Sequence, residues 1–235
     1  MENSPIIKIE RLVKRFPVGK AEFTALNDIS ISIGQGEFSG MVGPSGSGKT
    51  TLLNIIGSLD SPTEGEVSVL GLSISSLSHK QSAKLRNLHI GFIFQTFNLL
   101  PVYTVYENVE FALLLQKLPG AGRRKAVMDA LEWVGLTDKV KSKPSMLSGG
   151  ECQRVAIARS MVKRPEIVLA DEPTANLDSG NSHHILQTMK SLNRELRTTF
   201  IFATHDEKVM QYLNRIISLE DGKVVRDNFL ADANN

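Results

Sequence analysis

The run of residues 43–50 constrains this chain more than any other feature. It consists of Gly43, Pro44, Ser45, Gly46, Ser47, Gly48, Lys49 and Thr50. An apolar, strand-like segment at 38–42 precedes the run, and a helical pattern at 50–56 follows it. Glycines let such a loop turn its N–H groups inward, and the helix N-terminus adds partial positive charge at the same point. The pattern G-x-x-x-x-G-K-[ST] in this setting predicts a phosphate-binding loop.

The residue types in this run suit ATP with Mg²⁺. The ammonium group of Lys49 would reach the β- and γ-phosphates, and the Thr50 hydroxyl would bind the metal ion. Thr51 would contact the α-phosphate or support the start of the helix. The alternative, a glycine-rich turn that binds no ligand, requires the match to arise by composition alone. We therefore expect ATP and Mg²⁺ at this loop.

The strand and helix patterns predict an α/β fold with a mostly parallel sheet, because strand-like segments alternate with helical ones. With the phosphate-binding loop at 43–50, we expect this to be a P-loop NTPase core. The strand-like segments lie at 6–9, 29–33, 38–42, 65–70, 90–94, 167–170, 200–203 and 216–219. Helical patterns at 105–115 and 125–134 indicate a helical insertion, about 96–158, within a single domain covering 1–235. An antiparallel β portion is expected from the early strands and from a tight turn at 220–223. The polar tail, 227–235, is predicted to fray.

Two adjacent acids end one of the apolar strands. Asp171 and Glu172 follow the segment 167–170 directly. Beside a phosphate-binding loop, Asp171 would hold Mg²⁺ and Glu172 would orient and polarise the water that attacks the γ-phosphate. The alternative is a pair of acids at a solvated strand end.

His205 follows another apolar strand, 200–203, at the end where ligands sit in open α/β sheets. It could contact the γ-phosphate or hold the attacking water. By itself, however, a histidine after a strand is more often a structural hydrogen-bonding group, so both interpretations stay open at this point.

Composition excludes several other classes of function. Lys and Arg total 27 and Asp and Glu total 25. Such a balance gives no large basic field, and a nucleic-acid partner is not expected. The single cysteine, Cys152, excludes an internal disulfide and fits the cytoplasm. No run approaches the roughly 20 apolar residues that span a bilayer, so any membrane role is expected to need a partner chain.

A second anion-binding pattern identifies a family. Leu147 is followed by Ser148, Gly149, Gly150 and Glu151, some twenty residues before the paired acids. This resembles the signature motif of ATP-binding cassette (ABC) ATPases. Ser148, Gly149 and Gly150 open a helix, and a helix N-terminus attracts phosphate. The resemblance implies that this motif serves the ATP bound by a second copy, in a head-to-tail homodimer with two nucleotides at the interface.

The resemblance covers essentially the whole chain and implies further roles. Gln95 resembles the glutamine that touches Mg²⁺ or the water, and Asp178 the aspartate that crosses the dimer interface. His205 resembles the family's switch histidine. Phe16 is similar to the aromatic residue that stacks on adenine, with Phe23 as a nearby rival. Two positions depart from the common signature, since Glu151 and Cys152 stand where glutamine is more usual.

The segments 94–101, 107–109 and 171–178 look most like the subgroup that serves lipoprotein release, macrolide-type export and cell division. That subgroup implies an integral membrane, permease-type partner, with this chain peripheral on the inner face of a bacterial cell membrane. Residues 97–106 are the candidate docking surface; the alternative is a loop that covers the helical insertion's own core. Rival functions are a soluble ABC-type ATPase acting on DNA or ribosomes, and an ATP-gated clamp that does not hydrolyse.

Overall fold

The central element of the structure, a computed structural model that describes residues 5–116 and 118–230, is a six-stranded sheet. Its strand order is β10-β9-β3-β8-β7-β6. The strands are β3 (Phe38–Val42), β6 (Ile90–Ile93), β7 (Ile167–Asp171), β8 (Thr199–Thr204), β9 (Arg215–Glu220) and β10 (Lys223–Phe229). All neighbours pair in parallel except β10, which is antiparallel to β9. The predicted mostly parallel sheet is confirmed.

A second, antiparallel sheet covers part of the first. It contains β1 (Ile7–Val18), β2 (Ala21–Ile33), β4 (Glu64–Val69) and β5 (Leu72–Ser73). These strands are ordered β2-β1-β4-β5, and every pair is antiparallel. The predicted antiparallel portion is therefore present. The strand-like segments at 6–9 and 29–33 are only the outer ends of the long β1–β2 hairpin, whose tip reaches the functional site.

In the described part of the chain, seven α-helices surround the two sheets. They are α1 (Lys49–Ile56), α2 (His79–His89), α3 (Val105–Glu110), α4 (Gly120–Trp133), α5 (Gly149–Met161), α6 (Ser179–Leu196) and α7 (Glu207–Met210). Helices α3, α4 and most of α5 occupy the predicted helical insertion, and α5 continues to Met161 beneath the sheet. Within 5–116 and 118–230, no helix combines the length and the hydropathy needed to cross a membrane.

Alternating side chains on the parallel strands separate two cores. On β8, Phe200 and Phe202 face the core shared with helices α3 to α6, whereas Ile201 and Ala203 face α1 and the antiparallel sheet. Because both faces are covered, these strands are apolar throughout, which is why the sequence shows continuous rather than alternating hydrophobic runs. The carboxyl ends of β3, β7 and β8 thus meet at one edge, where the residues with chemical roles follow them.

The chain's last strand corrects one expectation. Asp221 and Gly222, with φ of +46° and +74°, form the tight turn that joins β9 to β10, as the sequence predicts. Strand β10 then continues to Phe229 instead of fraying at Asp227. The Asp227 carboxylate accepts two hydrogen bonds of 2.7 Å from the nearly buried Arg215 guanidinium. This ion pair, between buried Arg215 and the more exposed Asp227, anchors the strand. Residues 231–235 lie outside the described part of the chain.

Candidate functional site

The loop between β3 and α1 has the backbone geometry of a phosphate cradle. Gly46 and Gly48 have φ of +83° and +99°, which side-chain-bearing residues rarely adopt. A Cβ on Gly48 would also lie 2.7 Å from the Ala25 carbonyl oxygen, and a Cβ on Gly43 would lie 2.1 Å from that of Leu219. No side chain caps the N-terminus of α1. Its first N–H groups therefore point into the loop without a side-chain partner, as an anion site requires.

Lys49 lies inside this loop with only 7% of its surface exposed. Its Nζ donates hydrogen bonds to the carbonyl oxygens of Gly43 and Pro44, at 2.7 and 2.8 Å. Burial lowers the pKa of Lys49, and the negative charges of Glu172 and Asp171 partly oppose that shift. The buried Ser47 hydroxyl beside it has no hydrogen-bond partner among the described residues. A cation held only by carbonyl oxygens, next to an unpartnered donor, fits a phosphate group.

Thr50 and Asp171 form the candidate metal site. The Thr50 hydroxyl donates to both carboxylate oxygens of Asp171, at 3.2 and 3.0 Å. Burial raises the pKa of Asp171, while the hydrogen bond from Thr50 lowers it. A hydroxyl and a carboxylate are hard oxygen ligands, the type that Mg²⁺ prefers. The donor set therefore fits Mg²⁺ shared between the protein and a triphosphate.

The Glu172 carboxylate is held at both of its oxygens. Thr204 donates its hydroxyl to Oε2 at 3.1 Å, and Nδ1 of His205 lies 2.5 Å from Oε1. The backbone N–H of Glu172 donates to the carbonyl of Ala203 at 2.9 Å. Glu172 has φ of +45°, an uncommon conformation for a residue with a side chain. Such conformations cluster at functional sites, where surrounding contacts hold them.

These groups line one cleft of roughly 500 Å³. At its far end Phe16 of β1 and Phe23 of β2 are opposite each other in the hairpin register. The Lys14 ammonium lies 4.9 Å from the Phe16 ring centre, and Phe23 is 55% exposed. The predicted residues that line the cleft are Phe16, Ser45, Gly46, Gly48, Lys49, Thr50, Thr51, Gln95, Asp171, Glu172 and His205. The structure thus places an aromatic surface and a phosphate loop in one cavity.

The signature residues lie outside that cleft. Ser148 caps α5: its hydroxyl accepts from the Glu151 N–H at 3.3 Å, and its own N–H donates to the Glu151 carboxylate at 2.8 Å. Glu151 therefore stabilises the N-terminus of α5 as part of a capping box. The hydrogen bond from the Ser148 N–H lowers the pKa of Glu151. Gly149 and Gly150 follow in the first turn of α5. The structure does not bring this second anion site to the chain's own phosphate loop.

Gln95 contacts the segment that follows Glu172, and Asp178 ends that segment. The Asn176 amide donates to the Gln95 carbonyl at 2.9 Å, which leaves the Gln95 side chain facing the cleft. Asp178 is exposed and caps α6, accepting from the Asn181 N–H at 2.9 Å. That hydrogen bond lowers the pKa of Asp178. Asp178 does not line the cleft.

A family model described as "ABC transporter" matches residues 26–175. An uncharacterized ABC transporter ATP-binding protein of Methanocaldococcus jannaschii, MJ0796, is 43% identical over 229 residues, which are 96% of this chain and 97% of that protein. This chain belongs to the ABC transporter family. A dimeric structure of the MJ0796 cassette, in a post-hydrolysis state bound to ADP and Pi, has a TM-score of 0.88 and 42% identity, and covers 96% of this chain and 99% of that one.

The resemblance read from the signature motif is therefore confirmed, and so is the fold. This ABC ATPase hydrolyses ATP. The macrolide export ATP-binding/permease protein MacB of Burkholderia pseudomallei is also 43% identical, over 223 residues or 95% of this chain. Those residues are 34% of MacB, so the ATPase spans about a third of that relative.

Several residues at the site of this ABC ATPase were not predicted from the sequence to have a role. Thr204 binds the Glu172 carboxylate, and Ala25 lines the cleft beside Gly48. Gln153 and Asn176 hold the backbone around Glu172 and Gln95. The only sequence signal for Thr204 was its place at a strand end. The others bind through long-range contacts that no local pattern shows.

Proposed function

We propose that this ABC ATPase is the nucleotide-binding subunit of a bacterial membrane complex and closes as a head-to-tail homodimer on Mg-ATP. One domain, 1–235, with a helical subdomain at about 96–158, would carry both halves of the site. The proposal rests on one observation: the signature turn lies outside the cleft that contains the chain's own phosphate loop. One phosphate does not need both anion sites from one chain, so the second is free for the nucleotide of a twin.

Within one copy, different residues of the cleft would contact the base, the phosphates, the metal ion and the attacking water. Phe16 would hold the base, and Lys49 with the N–H groups of residues 45–51 would hold the phosphates. Thr50, Asp171 and Gln95 would hold Mg²⁺, which neutralises charge that develops on the phosphate oxygens. Glu172, oriented by Thr204 and His205, would accept a hydrogen bond from the attacking water and polarise it.

The twin copy would complete each site. Ser148, Gly149 and Gly150 at the N-terminus of α5 would contact the γ-phosphate from across the interface. Asp178, exposed at the start of α6, would cross the same interface. Closure then depends on ATP, and hydrolysis removes the contact that joins the copies. The difference in contacts between the two states would move the membrane partner.

A groove beside the helical region suits that partner. It measures roughly 490 Å³ and is lined by apolar residues such as Phe92, Phe111 and Leu115, the last 82% exposed. The described residues lining it include Arg86, Arg159 and Lys163 but no carboxylate. An apolar cytoplasmic segment of a permease-type protein, carrying an acidic residue, would complement it. MacB, an ATP-binding protein and permease in one chain, supports this type of partner.

The groove only partly coincides with the loop 97–106 predicted from sequence. Leu99 and Tyr106 of that loop pack against the helical core, as the alternative interpretation proposed. Val102 and Tyr103 remain exposed. The docking surface we propose therefore combines these two residues with Phe111 and Leu115.

Trans-complementation tests the shared site most sharply. Lys49→Met should inactivate the phosphate loop and Ser148→Arg the signature turn, so each protein alone should hydrolyse little ATP. In a head-to-tail dimer, an equal mixture restores one intact site in half of the dimers, so about a quarter of wild-type phosphate release is expected. Two Lys49→Met preparations mixed together are the control. A mixture no more active than its components contradicts the proposal.

Membrane recovery tests the partner surface. The wild-type chain should sediment with membranes of its native cells, and Leu115→Asp should shift it to the supernatant. Val225→Asp, an exposed apolar position on β10, is the matched control and should leave sedimentation unchanged. Equal sedimentation of all three proteins would show that the groove is not the docking surface for the membrane partner. Salt-sensitive binding to nucleic acid would instead favour a soluble ATPase that acts on DNA or ribosomes.

A further inference from the structure

A buried amide connects the signature helix to the residue after Glu172. Gln153 lies one turn into α5 and is fully buried. Its Nε2 donates a hydrogen bond of 2.6 Å to the carbonyl oxygen of Pro173. Pro173 itself is buried and has no N–H group to anchor it. The hydrogen bond from the Gln153 amide therefore fixes the position of the Pro173 carbonyl group.

The carbonyl that Gln153 holds belongs to Pro173, the residue directly after Glu172. Glu172 is in the left-handed region, and residues there depend on their surroundings to stay in place. Its N–H is bound by the Ala203 carbonyl on the β8 side. On the other side, the Glu172 carbonyl accepts a hydrogen bond of 3.2 Å from the Ala175 N–H. The hydrogen bond from Gln153 holds the carbonyl of Pro173, the residue between them and next to Glu172. Losing it would let the backbone relax and move the carboxylate away from its water.

Packing alone does not call for glutamine at this position. The Gln153 Oε1 atom has no hydrogen-bond partner among the described residues, although it is buried. An unpaired buried acceptor costs free energy, which an apolar side chain of the same length would avoid. The amide thus contributes through its donor to Pro173. Such half-satisfied groups are expected where function, not stability, sets the residue type.

We propose that Gln153 is a positioning residue for hydrolysis: it ties the helix that Ser148 caps to the backbone of Pro173, and through it to the adjoining Glu172. This rests on the proposed function, in which Ser148 contacts the ATP of the twin copy. Helix α5 then joins the contact with one nucleotide to the carboxylate that acts on the other. Its catalytic effect would pass entirely through Glu172.

Two variants test the proposal in the full chain. Gln153→Met keeps the length and removes the donor together with the unpaired acceptor; Gln153→Leu removes the same two groups with a shorter, branched side chain. Both should lower kcat for ATP hydrolysis at least tenfold while KM for ATP changes less than twofold. The thermal midpoint of Gln153→Met should stay within a few degrees of wild type. A kcat within twofold of wild type in Gln153→Met overturns the proposal.

A double-mutant cycle separates positioning from a general structural effect. In a Glu172→Gln background, Gln153→Met should leave the residual single-turnover rate within twofold, because the carboxylate it positions is gone. An equal loss in both backgrounds would show that Gln153 does not act through Glu172, and would overturn the proposal. Failure of the dimer would appear separately, as a wild-type chain that does not associate on ATP.

Discussion

Nδ1 of His205 lies 2.5 Å from Oε1 of Glu172, and the neighbouring residue, Thr204, binds the other carboxylate oxygen. The last residue of β8 and the residue after it therefore supply both contacts that orient the carboxylate directly after β7. The side chain of Glu172 is mostly buried, whereas that of His205 is 63% exposed. His205 can thus leave this pair and face the nucleotide cleft, which it also lines.

Replacement of His205 should affect the orientation of the Glu172 carboxylate without affecting the binding of ATP. In His205→Ala, Glu172 loses one of its two carboxylate contacts, so we expect kcat to fall by roughly 100-fold, the lower end of the range for general acid–base groups. KM for ATP should change less than threefold, because no phosphate-loop contact is lost. Steady-state phosphate release measures both quantities. A kcat equal to that of wild type would show that the pair has no part in turnover.

Lys49→Met should abolish tight binding of ATP without unfolding the chain. The variant removes charge-assisted hydrogen bonds to phosphate, each contributing about 1.5–3 kcal/mol, so affinity should fall by about 100-fold. Stability should hold, because burial already disfavours the charged ammonium. Titration calorimetry with ATP measures the affinity. Lys80→Met on exposed α2 is the control, and equal affinities of the two variants would contradict the assignment of Lys49.

The base-binding aromatic can be identified by comparing two alanine variants. Lys14 covers one face of Phe16, which leaves the other face for adenine. Phe16→Ala should weaken ATP binding about tenfold, since stacking on a base contributes about 1–3 kcal/mol. Phe23→Ala should weaken it less. Binding of inorganic tripolyphosphate should be unaffected in both variants, and a larger loss of ATP affinity in Phe23→Ala would transfer the role to Phe23.

Much of this site was predictable because its signals are local. The phosphate loop and Asp171 with Glu172 are contiguous runs beside apolar strands, and the parallel sheet brings their ends together. Helix α2 was missed because Leu85 is its only buried residue, although Ser78 and Gln81 form a capping box that marks its start.

The remaining contacts join distant parts of the chain. Gln153 reaches Pro173, and Arg215 pairs with Asp227 and Glu37 across three strands. Nothing in the hydrophobic periodicity of the sequence indicates which residues form these two contacts. The direction of a buried side chain depends on the packed fold, so these pairings emerge only from the structure.

Lys163 should make stability depend on pH in the alkaline range. Burial lowers the pKa of this lysine to about 8. Between the folded pKa and the ordinary lysine pKa of 10.5, the unfolded chain binds more protons, so stability rises with pH. From pH 7.5 to 10, the free energy of unfolding should increase by roughly 2 kcal/mol relative to Lys163→Met. Urea denaturation of both proteins checks this, and parallel curves would contradict the shift.

Light scattering of the hydrolysis-blocked protein tests the shared nucleotide site most directly. Glu172→Gln with saturating ATP and Mg²⁺ should have twice the 25.8 kDa mass of one chain, and should return to one chain with ADP. Adding Ser148→Arg to the same protein should keep it monomeric with either nucleotide. A mass that stays at 25.8 kDa for Glu172→Gln saturated with ATP would contradict the account.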